Sequence, residues 1–225
     1  MFGTTILQRR QCVTADLIQA YADVPVANIS DCMSRLVAAG ASLRPMHQQG
    51  RLVGPALTVK TRPGDNLFIH KALEMAQPGD VIVVDGAGNL SNALVGELMT
   101  SYAQTRGIAG FVIHGAIRDL EVIGTGAFPV YACGVTHRGP YKDGPGAINT
   151  PVAIDGMVIE AGDLIVGDLD GLLSIPCAHA ANILAAVHAK MEQEAHAMAA
   201  IAAGTLDTSW IDTTLRRLGC NPEPA

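Results

Sequence analysis

Gly110-Phe-Val-Ile-His-Gly-Ala-Ile-Arg-Asp119 opens on an apolar run and closes on a charged pair. Phe111 to Ile113 reads as a buried strand, Gly115-Ala116 as a small-residue turn, and Arg118 and Asp119 follow at once. Upstream, Val81-Ile-Val-Val-Asp85 is a second apolar strand. It runs into Gly86-Ala-Gly-Asn-Leu-Ser-Asn92, which reads as a loop, and Leu94, Leu98, Tyr102 and Ala103 then recur at helical spacing over Ala93 to Arg106. Strand, helix, strand in that order is a β-α-β unit, so the two strands are predicted to be parallel. In such folds ligands collect at the carboxyl ends of strands. An Arg there offers a planar fork for a carboxylate, and an Asp offers a hard oxygen for Mg²⁺. The helix start adds free N–H groups and the positive end of a dipole. Together these features predict a site for a small anionic substrate held beside a metal.

Outward from this unit the pattern stays α/β. Thr14 caps a short helix over Ala15 to Tyr21, and a second is predicted from Ile29 to Ala38, stopped by Gly40. Pro45 starts an irregular segment, and Leu52 to Lys60 reads as a strand in which Pro55 marks an edge or bulge. Asp65 or Asn66 caps a helix through Met75. After Asp119 come short strands, Val130 to Ala132, Val152 to Ile154, Met157 to Ile159, Leu164 to Gly167 and Leu172 to Ile175. Asp155-Gly156 and Asp170-Gly171 are hairpin cues between them. Ala178 to Ala203 reads as a long Ala-rich helix, Asp207 or Thr208 opens a last short one, and Asn221-Pro-Glu-Pro-Ala225 reads as a frayed tail. Alternating helices and strands followed by meandering strands indicate α/β with mixed sheets.

Composition narrows the function classes. The formal net charge of −6 argues against nucleic acid, whose phosphates call for clustered Lys and Arg. Charged residues make up 16% of the chain against roughly 25% in ordinary domains, which suits a protein that buries surface against copies of itself. No apolar stretch approaches the roughly 20 residues of a membrane span, and no leader pattern is visible, so a cytoplasmic location is expected. Cys12, Cys32, Cys133, Cys177 and Cys220 contain no C-x-x-C and read as reduced thiols. Neither a G-x-G-x-x-G nor a P-loop is present, which leaves no case for a dinucleotide or nucleoside triphosphate. His137 and His179 lack a spaced metal-ligand partner, and His70 reads as a ring packed beside Asn66. Asp163, Asp168 and Asp170 suit turn and hairpin positions better than a metal site.

The ordered motifs resemble one family. Gly64-Asp-Asn66 with His70, Pro78-Gly-Asp80, Gly96-Glu-Leu-Met99, Arg106-Gly107, Phe128-Pro-Val130, Pro151-Val152 and Gly162-Asp163 occur in sequence. Glu97, a twenty-residue spacer and Arg118-Asp119 complete the set. Across roughly residues 14 to 217 the chain resembles the family of regulator of ribonuclease activity A and the class II 4-hydroxy-4-methyl-2-oxoglutarate aldolases. That resemblance implies a swivelling β/β/α-type fold in one domain over residues 1–225. The C-terminal helical region from about 178 is then expected at a subunit interface of a homotrimer or homohexamer.

The resemblance also implies roles. The amides of Gly96, Glu97, Leu98 and Met99 would hold a pyruvate-type carboxylate, and Arg118 the keto or enolate oxygen. Asp119 would bind Mg²⁺ or Mn²⁺ directly and Glu97 through a water. A further acid would come from a neighbouring subunit, with Glu194 the best match and Glu192 close behind. The implied reaction cleaves 4-hydroxy-2-oxo acids to pyruvate and a second keto acid, with oxaloacetate decarboxylation beside it. The alternative is a non-catalytic regulator that binds a ribonuclease. His114 departs from the family, where an Asp is common before Gly115. It is expected near the site because its strand ends there.

Overall fold

The computed structural model describes residues 4–35 and 40–220. In chain order the elements are β1 (Thr4–Ile6), α1 (Ala15–Ala20), α2 (Val26–Cys32), β2 (Arg44–Pro45), β3 (Leu52–Thr61) and α3 (Leu67–Met75). Then come β4 (Val81–Val95), α4 (Glu97–Thr105), β5 (Gly110–Ile117), α5 (Leu120–Thr125) and β6 (Val130–Val135). After them are β7 (Gly146–Ile148), β8 (Val152–Ile154), β9 (Met157–Ile159), β10 (Leu164–Asp168) and β11 (Gly171–Ile175). A 3-10 turn over Cys177–His179 leads into α6 (Ala180–Ala203), and α7 (Ser209–Arg217) follows. The chain divides into two compact units, 1–187 and 188–225.

In the first unit the described strands build a nine-stranded mixed sheet. Its main path is β1-β7-β3-β4-β5-β6-β2, with β10 and β11 attached to β3. β3, β4, β5 and β6 are mutually parallel neighbours. Each step between them is spanned by a helix, α3, α4 and α5 in turn, as parallel neighbours require. Val59, Val84, Ile113 and Ala132 lie on the face that carries the main core, packed with Phe68, Leu73, Met99 and Ala103 from α3 and α4. The predicted hairpins at Asp155-Gly156 and Asp170-Gly171 are both antiparallel pairs.

Several sequence expectations change. Gly86–Asn92 is not a loop: β4 continues through it to Val95, and pairing with β5 resumes at Asn89↔Gly115, Ala93↔Ala116 and Val95↔Ile117 across register shifts. Ala87 (φ 57°) and Gly88 (φ 66°) form the left-handed kink of this bulge. A side chain at Gly86 would stand 2.9 Å from the His114 carbonyl oxygen, so the two strands approach too closely for one. For the same reason Gly115-Ala116 is not a turn but part of β5, which ends at Ile117. The following helix starts at Glu97 rather than Ala93, since residues 93–95 are in the sheet. Pro55 lies where β3 pairs with β10 alone, before β4 joins at Ala56. Arg44–Pro45 pairs with β6 instead of running irregularly. The second helix covers Val26–Cys32; its expected end near Ala38 and the tail Asn221–Ala225 lie outside the described residues. Strands β1 and β7 and helix α5 have no sequence counterpart above.

Capping follows the sequence more closely. Thr14 Oγ1 accepts the Leu17 N–H at 3.4 Å, and Asp65 Oδ1 accepts the Leu67 N–H at 3.0 Å. Asp168 takes the N–H groups of Val26 and Asp170, and Asp163 those of Glu160 and Cys177, which confirms these acids in turn-forming roles. In the second unit Lys190 and Glu194 form an i,i+4 ion pair of 2.9 Å. No described helix is long and apolar enough to cross a membrane.

Candidate active site

The paired ends of β4 and β5 place the central residues. Val95 and Ile117 are register partners, and the Arg118 N–H donates to the Val95 carbonyl at 3.0 Å. Gly96 and Arg118 therefore leave the sheet side by side. Asp119 takes a left-handed backbone (φ 59°, ψ 39°) as the residue capping α5, and its Oδ2 accepts the Glu97 N–H at 2.9 Å. Asp adopts that conformation at lower cost than most residues. Arg118 Nε lies 3.6 Å from the same oxygen. Gly96 has an extended backbone, so its lack of a side chain serves packing. An added Cβ would overlap Asp119 Oδ2 and meet Arg118 Cγ at 2.9 Å.

Arg118 lines two neighbouring cavities. One, of about 170 Å³, is walled by Asn66, His70, Ala93 to Gly96, Leu98, Met99, Pro140 and Lys142. The other, of about 280 Å³, adds Asp119, Val135, Thr136 and His137. Predicted residues Gly96, Leu98, Met99 and Arg118 thus meet in one cavity, and Asp119 joins Arg118 in the next. The Glu97 side chain is exposed and lines neither. Two of the four amides expected to hold a carboxylate are already engaged: Glu97 N–H by Asp119, and Met99 N–H by the Gly96 carbonyl. The Gly96 and Leu98 N–H groups have no acceptor among the described residues. His114 lines neither cavity; its ring lies between Asp85 (3.5 Å) and Asp155 (3.8 Å), three residues before its strand ends. Glu194 and Glu192 are exposed on α6 in the second unit.

Sequence reasoning missed Lys142 and Pro140; His70 lies beside Asn66 on the wall of the same cavity. Their placement depends on Asp65, a fully buried carboxylate. It accepts the N–H groups of Asp143 (2.7 Å) and Gly144 (2.9 Å) besides that of Leu67, and Arg62 lies 3.1 Å away. Asn92 Nδ2 donates to the Gly139 carbonyl at 2.6 Å, and the Asn66 N–H to that of Tyr141 at 3.0 Å. The Gly64-Asp-Asn66 motif therefore pins the 138–144 loop over the cavity. Burial of the ring, and then the Lys142 charge, push the His70 pKa down against the opposing pull of Glu74. His70 is accordingly a neutral imidazole at pH 7, and Arg118 and Lys142 are the two cations of the cavity wall.

A parallel β-α-β core with a cavity lined by Arg118 and Lys142 at its strand ends defines an α/β protein with a cationic cleft where such folds commonly carry their sites. The family model for RraA-like proteins, Aldolase/RraA, matches residues 26–173. The chain belongs to this family. It is 41% identical over 169 residues to a protein of Halalkalibacterium halodurans named "Putative 4-hydroxy-4-methyl-2-oxoglutarate aldolase", covering 75% of this chain and 80% of that one. Among solved structures, the RNA-processing inhibitor RraA from Thermus thermophilus superposes with a TM-score of 0.62 at 30% identity, over 68% of this chain and 93% of that one. An uncharacterized protein from Pseudomonas syringae pv. tomato gives 0.76 at 25% identity, over 86% and 96%.

Proposed function

We propose that this chain is a divalent-metal-dependent lyase that cleaves 4-hydroxy-2-oxo acids. Suitable substrates are 4-hydroxy-4-methyl-2-oxoglutarate and 4-carboxy-4-hydroxy-2-oxoadipate, which yield pyruvate and a second keto acid, and oxaloacetate, which is decarboxylated. The carrying observation is the Arg118–Asp119 pair packed on Gly96 at the start of α4, in a wall that also bears Lys142. A 4-hydroxy-2-oxo diacid has a keto-acid end for Arg118 and the free Gly96 and Leu98 amides. Its distal carboxylate suits Lys142. The relative named as an aldolase supports the same reading.

The donor set fits a hard cation. Asp119 Oδ1 and the Glu97 carboxylate carry no hydrogen bond or ion pair among the described residues. No three His, Cys, Asp or Glu side chains among those residues converge on a metal position. One or two carboxylates completed by water is how Mg²⁺ or Mn²⁺ is commonly bound, whereas a closed zinc site needs four protein ligands. We assign Asp119 as the direct ligand and Glu97 as the holder of a water, with Glu194 of a neighbouring subunit as the added acid. When bound, the cation supplies Lewis-acid charge for a keto oxygen. Arg118 adds a fixed positive charge where the oxyanion develops, and donors of this kind are typically worth about 10²–10³ in rate. Glu97, at the exposed first turn of α4, is suited to moving a proton through its water. The same reading makes the enzyme a cytoplasmic homotrimer or homohexamer.

A second reading, a non-catalytic regulator that binds a ribonuclease, draws on the likeness to the RNA-processing inhibitor and on the net charge of −6. Pyruvate release from oxaloacetate and from 4-hydroxy-4-methyl-2-oxoglutarate separates the two. The lyase reading expects release with Mg²⁺, loss with chelator, and a fall of about 10³-fold in Arg118→Ala. Asp119→Ala is expected to lose metal response together with activity. Release that survives chelator, or survives Arg118→Ala, removes this site from the reaction.

A further inference from the structure

Cys12 and Cys177 are both anchored on the Gly162-Asp163 turn. The Val13 N–H donates to the Gly162 carbonyl at 3.1 Å, and a Cβ at Gly162 would meet Cys12 Cα at 3.2 Å. The backbone of residue 12 therefore lies directly against this turn. The Cys177 N–H donates to Asp163 Oδ1 at 3.0 Å. Asp163 is itself 7% exposed and fixed through Oδ2 by the Glu160 N–H at 2.9 Å. Adjacent residues of one held turn thus carry the two cysteines. Burial is the main cause raising the Cys12 pKa; Arg9 opposes it, while Asp80 and the nearby Cys177 thiol add to it. Both thiols are free, Cys12 exposed and Cys177 half-buried.

We propose that Cys12 and Cys177 form a redox-active dithiol site that closes to an intramolecular disulfide when it meets a small-molecule disulfide. In the first step the exposed Cys12 thiol loses its proton and its sulfur attacks one sulfur of the reagent. The reagent S–S bond breaks, and one thiol leaves carrying a proton. In the second, Cys177 loses its proton and attacks the Cys12 sulfur of the mixed disulfide, releasing the other reagent thiol. Two protein thiols are oxidised and one reagent disulfide is reduced to two thiols. Proximity drives the second step, because the attacking sulfur is held at high effective concentration. With its pKa raised, Cys12 stays mainly the thiol at neutral pH, so the first step is slow there. It quickens about tenfold per pH unit until the thiol ionises. The bridge ties the N-terminal segment, whose Arg9 is paired to Asp80 at 2.6 Å, to the turn that opens α6. In a reducing compartment the site rests as the dithiol.

The test incubates the full chain with oxidised glutathione at about pH 8.5, where thiolate is more plentiful. Free thiols are then counted and peptides mapped without reduction. The expected result is Cys12 and Cys177 peptides linked within one chain, while exposed Cys220 carries at most a glutathione adduct. Cys177→Ser is expected to stop at a glutathione adduct on Cys12. A wild-type chain that accumulates that adduct without closing overturns the proposal. So does a linkage that joins Cys12 to any other cysteine. The wild-type map decides the matter even where a variant folds poorly.

Discussion

Replacing Gly96 by Ala tests whether the site is held by packing at the start of α4. The new methyl would overlap Asp119 Oδ2 and stand 2.9 Å from Arg118 Cγ and 3.1 Å from Arg118 Nε. The Arg118 side chain can swing aside. Asp119 cannot do so freely, because its carboxylate holds the Glu97 N–H and its backbone is fixed at φ 59°. Overpacking of this kind costs about 1–3 kcal/mol, and a chain of this length loses roughly 2–4 °C of Tm per kcal/mol. The catalytic loss is expected to be larger, since displacing reacting groups by about 1 Å can cost about 100-fold. Gly139→Ala is the control: its Cβ would meet Arg118 Nη1 at 3.4 Å, an ordinary contact, and turnover should stay within about twofold. The assay is pyruvate release at saturating Mg²⁺ beside a thermal melt. Wild-type turnover in Gly96→Ala, or equal losses in the two variants, refutes the argument from contact geometry.

Two further perturbations probe the cavity and its surroundings. Lys142→Met should lower kcat/KM about tenfold for substrates with a distal carboxylate and spare those without one. In the wild-type chain borohydride should trap no pyruvate adduct; an adduct on Lys142 would mean that this lysine forms a Schiff base instead of pairing with charge. Asp85 answers to pH. Burial pushes its carboxyl up, but the Lys60 hydrogen bond, the Ala87 N–H, the Lys60 charge and His114 outweigh that and hold its pKa below the usual value. A depressed pKa stabilises the fold above the unfolded value of about 3.9, and that contribution is lost as pH falls through the folded one. Lys60→Met should therefore cost about 1 kcal/mol or less at pH 7, since Lys60 is half exposed, and nothing once Asp85 is protonated. A stability gap in urea that does not change with pH contradicts the assignment.

Legibility in the sequence followed the range of the interactions. The β-α-β unit, both Asp-Gly hairpins and the Thr14 and Asp65 caps were readable, because each depends on residues a few positions apart. Strands β1, β2 and β7 have two or three residues each and exist through their partners, so no local period reveals them. The motif Gly64-Asp-Asn66 was visible as a string. Its work, holding residues 143 and 144 some eighty positions away, was not. Lys142 could not be assigned to the cavity without that long-range contact. Arg118, Asp119 and Gly96 were legible as a set. The engagement of the Glu97 N–H by Asp119, which removes one of the expected carboxylate donors, was not.

The misreading of Gly86–Asn92 as a loop shows where the precision of this site comes from. Two independent loops would have carried Gly96 and Arg118 with separate freedom to move. Instead β4 and β5 remain paired past the bulge, and the last pair, Val95↔Ile117, fixes both following residues at once. The pairing survives because the residues in that stretch of the sheet are small. A side chain at Gly86 would strike the His114 carbonyl and Leu94, and one at Gly115 would come to 3.0 Å of Leu94. The composition that looks like a flexible connection is what lets two backbones lie close enough to stay in register. Arg118 and Asp119 are then aimed from a sheet end, where a displacement must break ladder hydrogen bonds, and the lyase reaction proposed above, which depends on ångström placement of a guanidinium and a carboxylate, would gain from that rigidity.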